Sequence, residues 1–175
     1  MTEKLMIEQK DDLLLQSSMT YSLLAELHNH GFVKSDYFEK MNFGTPWFKS
    51  HLQKMGVGNK GFVMIALYSM LVLPKEVMQN TYPTEYENIR EFVKKNARNI
   101  TSTYKSDIQN VDFIRHIRNA VAHANVEVRS NDVIIFYDKN SHKEEFKCEF
   151  PIDKLGELLN KLQSIHFKYI NLTYT

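Results

Sequence analysis

The period of the apolar residues constrains this chain more than any other feature, because it changes twice. From Leu13 to Val121 apolar side chains recur at helical spacing. From Val126 to Phe150 they alternate. From Leu155 to Ile165 the helical spacing returns. A period near 3.6 residues buries one stripe of a helix, and a period of 2 buries one face of a strand. The pattern therefore predicts a mainly α protein: a bundle of five or six helices, with a small β-meander before the C-terminal helix.

The breaks between elements are legible. Leu13, Leu14, Leu15, Met19, Leu23, Leu24 and Leu27 form the first stripe, with Asp11 or Asp12 as cap and Gly31 as stop. Phe32 to Gly44 reads as an aromatic connection. Thr45-Pro46 opens a short helix that Gly56 closes. Lys60 to Val72 reads as a central core helix, interrupted at Pro74. Pro83-Thr84 with Glu87 reads as a capping box opening a helix to about Ile100. Ser106 with Gln109 repeats that signature, followed by a stripe of Ile108, Val111, Ile114, Ile117 and Val121. Val126–Val128, Val133–Tyr137 and Lys143–Phe150 read as strands, joined by turns at Ser130-Asn131-Asp132 and Lys139-Asn140-Ser141. Pro151-Ile152-Asp153 starts the last helix.

Composition bounds the function. A chain of 175 residues predicts one domain, with residues 1–12 flexible. The net charge of +1 leaves no global field toward nucleic acid or membrane, so any polyanion site must be local. Residues 1–12 are charged, without the apolar core of a leader. The longest apolar run, Phe62 to Leu73, is too short for a bilayer, so no membrane partner is expected. Cys148 is the single cysteine, which suits a reducing cytoplasm, and its place in a strand makes it a packing thiol.

Chemistry concentrates in Arg118-Asn119-Ala120-Val121-Ala122-His123. Arginine holds a phosphate through two hydrogen bonds. Histidine, with an unperturbed pKa of about 6.5, suits proton transfer near neutrality. On an ideal helix Asn119 and His123 lie about 40° apart, whereas Arg118 and His123 lie about 140° apart. One protomer thus makes a loose site, and two such helices across a two-fold axis make a tighter one. The plain alternative is an Arg and a His that interact with the last carbonyls of their helix. From Arg90 to Arg118 seven basic residues stand against three acidic ones, either a phosphate-guiding surface or a solvated helix face.

Other candidates read as structure. His28 and His30 lack the further ligands that zinc requires. Gly56, Gly58 and Gly61 lack the strand and the Gly-Lys-Ser/Thr of a phosphate loop. Tyr68, Tyr82, Tyr86 and Tyr104 could stack bases but read better as interhelical packing. Trp47 with Phe48 reads as a core anchor or part of a partner surface.

Arg118-Asn119-(x)3-His123, on a late helix followed by strands and a closing amphipathic helix, resembles the motif of the HEPN superfamily (higher eukaryotes and prokaryotes nucleotide-binding). Phe113 to about Ile165 is most similar to its nuclease branch from bacterial plasmids. The resemblance implies a single HEPN-like domain over 1–175 and a homodimer with a composite site. It further implies metal-independent endoribonuclease activity that leaves 2′,3′-cyclic phosphate ends, in a toxin or defence effector. His123 would be general base or acid, Arg118 would hold the scissile phosphate, and Asn119 would orient either. Arg115 and His116, outside the motif, are candidate phosphate-binding residues. RNA is the expected partner, with an antitoxin or regulatory protein as a second; no cofactor is implied. The alternative is a silent HEPN module that binds RNA or nucleotide, or that mediates protein association.

Overall fold

The computed structural model describes residues 9–130 and 132–174. The flexibility expected of residues 1–12 lies largely outside them; from Gln9 onward the chain is helical. Backbone contacts group the chain into two compact units, Met1–Ala66 and Leu67–Thr175.

The first unit holds α1 (Gln9–Asn29), a 3₁₀ turn (Phe32–Lys34), α2 (Asp36–Glu39), α3 (Pro46–Met55) and most of α4 (Lys60–Leu67). Asp11 and Asp12 lie inside α1 rather than capping it. The chain turns after α1 at Gly31 and leaves α3 at Gly56, both with positive φ (61° and 75°). The aromatic connection contains α2, because the Ser35 hydroxyl accepts from the Phe38 N–H at 3.2 Å and caps a single turn. Phe32, Phe38, Phe43 and Phe48 follow one another in ring contact. Trp47 stays 62% exposed, so it anchors no core. His28 packs against Gly58, whose N–H donates to its Nδ1 at 3.2 Å. A Cβ at Gly58 would come within 2.6 Å of that ring, so a larger residue there would have to displace the His28 side chain.

The second unit carries the mixed architecture. The helical segment begun by α4 widens into a π-turn at Tyr68–Val72, where the Leu73 N–H bonds the Tyr68 carbonyl. Pro74 follows, and α5 (Lys75–Thr81) and α6 (Pro83–Asn96) come next. Pro83 is the first residue of α6 and no side chain caps it, so the expected Thr84–Glu87 box does not form. The expected helix to Ile100 gives way at Ala97 to β1 (Arg98–Ser102). β-Branched Ile100 and Thr101 favour that outcome.

A 3₁₀ turn (Lys105–Asp107) precedes α7 (Phe113–Ala122). The expected start at Ser106 is displaced, because the Asp112 carboxylate accepts from the Arg115 N–H at 3.2 Å and caps α7 instead. Ile108, assigned to the stripe, is left outside the helix and 84% exposed. Then follow β2 (Val126–Val128), β3 (Val133–Lys139), β4 (Glu145–Pro151) and α8 (Ile152–Tyr174). Among the described residues this makes eight α-helices, the short α2 and α5 exceeding the expected five or six.

The meander gains β1 as a fourth strand: the antiparallel order is β1-β4-β3-β2, with Phe136 opposite Cys148 and Tyr137 opposite Lys147. One face carries Ile134, Phe136 and Asp138 with Phe146, Cys148 and Phe150, all buried. α7 packs against β3, and α8 turns Leu155, Leu158, Leu159, Leu162 and Ile165 into the same core. Burial pushes the Cys148 thiol up to about 12, as expected of a packing thiol. No single helix among the described residues is long and apolar enough to cross a membrane.

Candidate functional site

α7 presents its polar residues in two groups. The first lies toward its N-terminus. His116 is 0% exposed, with Nδ1 2.7 Å from Asp138 Oδ2 on β3 and Nε2 2.8 Å from Asp107 Oδ2. Each ring nitrogen faces a carboxylate oxygen, and Arg115 Nη2 lies 3.1 Å from the same Nε2. Arg115 Nη2 donates to Asp107 Oδ1 at 3.1 Å and to the Ser106 hydroxyl at 2.9 Å. One guanidinium and one imidazole thus face two carboxylates in a set buried at His116, Asp107 and Asp138. Ser102 adds a hydroxyl donor to Asp107.

Burial works against the Asp107 charge, but the Ser102 hydrogen bond and the adjacent His116 and Arg115 hold its carboxyl below the usual range. Burial and the adjacent Asp138 carboxylate raise the Tyr104 hydroxyl to about 12. The His116 ring lies flat on Phe146, 4.3 Å between centroids. Removing a member of such a set would strand a charge where water cannot reach it.

The second group lies at the C-terminus of α7. The helix ends at Ala122, and His123 is its C-cap, with φ −100° and ψ 9°. The Ala124 N–H bonds the Val121 carbonyl at 3.2 Å, and the Asn125 N–H bonds the Ala120 carbonyl at 2.8 Å. This is a Schellman closure. The left-handed position is filled by Ala124 (φ 55°) where glycine would be at ease. The closure uses the last carbonyls, so the His123 imidazole is not needed to cap them. It is exposed and makes no side-chain hydrogen bond among the described residues.

Arg118 is half-buried and likewise has no hydrogen bond or ion pair among the described residues. Its charge is felt by Tyr86, whose hydroxyl burial nevertheless raises to about 12. The basic surface expected around it is thinner than its composition. Arg90 pairs with Glu87 at 2.8 Å, Lys94 with Glu91 at 3.8 Å, and Arg115 with Asp107.

Asn119 stands between the two groups. Its Nδ2 donates to Asp138 Oδ2 at 3.1 Å, so its amide is turned to β3 rather than to His123. The five residues singled out by the sequence therefore separate. His116 is held inside the fold, Arg115 is tied at its edge to Asp107 and Ser106, Asn119 ties the helix to the sheet, and Arg118 and His123 make no side-chain hydrogen bond among the described residues.

Asp107, Asp138 and Ser102 complete the set and escaped the sequence reading, and Tyr104, read there as interhelical packing, packs its ring against His116. A signal existed for Asp138: it alternates in phase with Ile134 and Phe136, which assigns a carboxylate to the core and demands a partner. Asp107 carries no such sign. Among the described residues no three His, Cys, Asp or Glu side chains are arranged to hold a metal ion.

A family model described as HEPN pEK499 p136 matches residues 6–172. No curated protein and no solved structure matches the chain.

Proposed function

The chain belongs to the HEPN pEK499 p136 family, and from that premise we propose that it is a metal-independent endoribonuclease whose reaction centre is Arg118 and His123. The observation that carries this reading is the contrast within α7. Arg118 and His123 are its two side chains with cationic or proton-transfer chemistry that make no hydrogen bond or ion pair among the described residues. The Arg118 guanidinium is free to take two phosphate oxygens and to stabilise the charge that grows on them. His123 Nε2 or Nδ1 takes the 2′-hydroxyl proton, and O2′ attacks the adjacent phosphorus. The P–O5′ bond breaks as O5′ accepts a proton, leaving a 2′,3′-cyclic phosphate and a 5′-hydroxyl.

Two proton carriers serve that reaction, one as base and one as acid. His116 is sealed from solvent and bonded at both nitrogens, so the second carrier is His123 of a second copy. The active form is then a homodimer with a composite site. DNA, lacking the 2′-hydroxyl, is a ligand at most. A toxin or defence effector acting on cellular or invading RNA is the biological role that suits such an enzyme.

Incubation of the protein with mixed RNA in EDTA tests the reading. The expected result is cleavage with 2′,3′-cyclic phosphate ends, abolished in Arg118→Ala and in His123→Ala. Binding of RNA without cleavage would replace the enzyme with a silent RNA-binding module.

A further inference from the structure

The sheet has a second face, turned away from α7, on which one row of side chains crosses β1, β4 and β3 and reaches the residue before β2. Tyr137 on β3 lies opposite Lys147 on β4, and Lys147 lies opposite Thr101 on β1. At the other end, the Tyr137 N–H donates to the carbonyl of Asn125, where the chain enters β2, at 3.0 Å. Strand pleating puts this row on the face opposite Phe136, Asp138 and Phe146. With Lys139 and Glu145 it lines a cleft of about 360 Å³, within the range of about 300–1,000 Å³ that holds small ligands.

The chemistry of the row is specific. The Tyr137 ring is half-buried, and the Lys147 ammonium stands over its face, 5.5 Å from the centroid. A flexible lysine on an aromatic face is readily displaced by a flat ligand. Asn125 and Thr101 offer an amide and a hydroxyl at either end. The other cation is already countered, since Lys139 pairs with Glu145 at 2.5 Å. An aromatic platform with an amide and a hydroxyl at its ends, its own hydroxyl 3.5 Å from the Glu127 carboxylate, suits a nucleobase better than a phosphate. The position suits one as well: Asn125 lies two residues beyond His123, its N–H tied to the closure that ends α7.

We propose that this cleft is the base-binding subsite for a nucleotide next to the scissile phosphate, with the base on Tyr137. The proposal rests on the ribonuclease reading above. A base can reach a platform on a sheet only when it is unpaired, so the substrate is single-stranded RNA. Asn125 and Thr101 are then the residues that set base preference. This also gives the strand segment a role beyond covering the core.

The test uses the full chain and a 2′-O-methyl oligonucleotide containing 5-iodouridine, which resists cleavage and crosslinks to a stacked aromatic ring on irradiation. The expected adduct maps to the peptide containing Tyr137. It persists in His123→Ala and falls about tenfold in Tyr137→Leu, with the thermal midpoint checked for each variant. Adducts elsewhere, or an adduct yield unchanged in Tyr137→Leu, would overturn the proposal. The same sequence as ordinary RNA, incubated in EDTA, separates the two readings. Cleavage without the adduct removes the subsite and keeps the nuclease. The adduct without cleavage keeps the base site and removes the nuclease.

Discussion

The two ends of α7 carry similar residues and do opposite things. Arg115 and His116 are adjacent; Arg115 Nη2 and both His116 ring nitrogens lie against carboxylates or a hydroxyl of the same chain, while Arg115 Nε is buried with no hydrogen-bond partner among the described residues. Arg118 and His123, within eight residues of Arg115 along the same helix, meet none among the described residues. An arginine and a histidine are therefore not a site by type. What distinguishes catalytic potential from architecture is whether the fold has already consumed the donor. Asn119 marks the border, since its bond to Asp138 couples the fixed end to the free one.

The largest effect that would break this comparison lies at the fixed end. Asp138→Ala takes from the buried His116 one of its two carboxylate partners and from Asn119 its acceptor, a loss of about 3–5 kcal/mol of stability. Chemical denaturation should show it as a lower midpoint with an unchanged slope. A midpoint shift no larger than that of an ordinary surface substitution would mean that the buried set holds nothing.

An acid titration of stability separates this set from the rest of its unit. His166 is buried and its Nε2–H donates to the Met70 carbonyl at 3.3 Å; burial lowers its pKa from 6.5 to about 4. The unfolded imidazole binds a proton between those values and the folded one does not, so stability falls as pH drops from about 6.5 to 4. The span corresponds to roughly 3 kcal/mol. Asp107 acts later: its lowered carboxyl contributes stability above its unfolded value, lost as pH falls below about 3.8. His166→Gln should flatten the first phase and leave the second. A first phase that survives that substitution would refute the assignment.

The smallest effect lies at the free end. Ala124 holds a left-handed conformation, φ 55°, that glycine adopts without strain. Ala124→Gly should stabilise the protein by about 0.4–1 kcal/mol. If melting shows a loss instead, the strain assigned to the closure after His123 is not there.

Much of this was legible in sequence because periodicity reports burial. β3, β4 and α8 fall close to their alternating or helical runs, and the stripe Ile114, Ile117, Val121 is the buried face of α7. β1 was not legible, because four of its five residues are exposed and the register slips between Arg98 and Thr101; such a strand has no alternation to read. The start of α7 was missed because two capping signatures compete, and Asp112 wins while Ser106 serves Arg115. The motif from Arg118 to His123 could be read from one helix. The buried set could not, since its members come from β1, the 3₁₀ turn, α7 and β3, distant in sequence. Nor could the sequence tell Arg115 from Arg118, a distinction that exists only in their neighbours.

The single-turnover cleavage rate of His123→Ala, taken beside its thermal midpoint, tests the central claim most directly. The account predicts a rate lower by about 10²–10⁴-fold in a protein that melts where the wild type does, because the exposed His123 side chain makes no hydrogen bond or ion pair among the described residues. A rate within a few-fold of wild type would contradict it, and so would a loss of activity that merely follows a loss of folding.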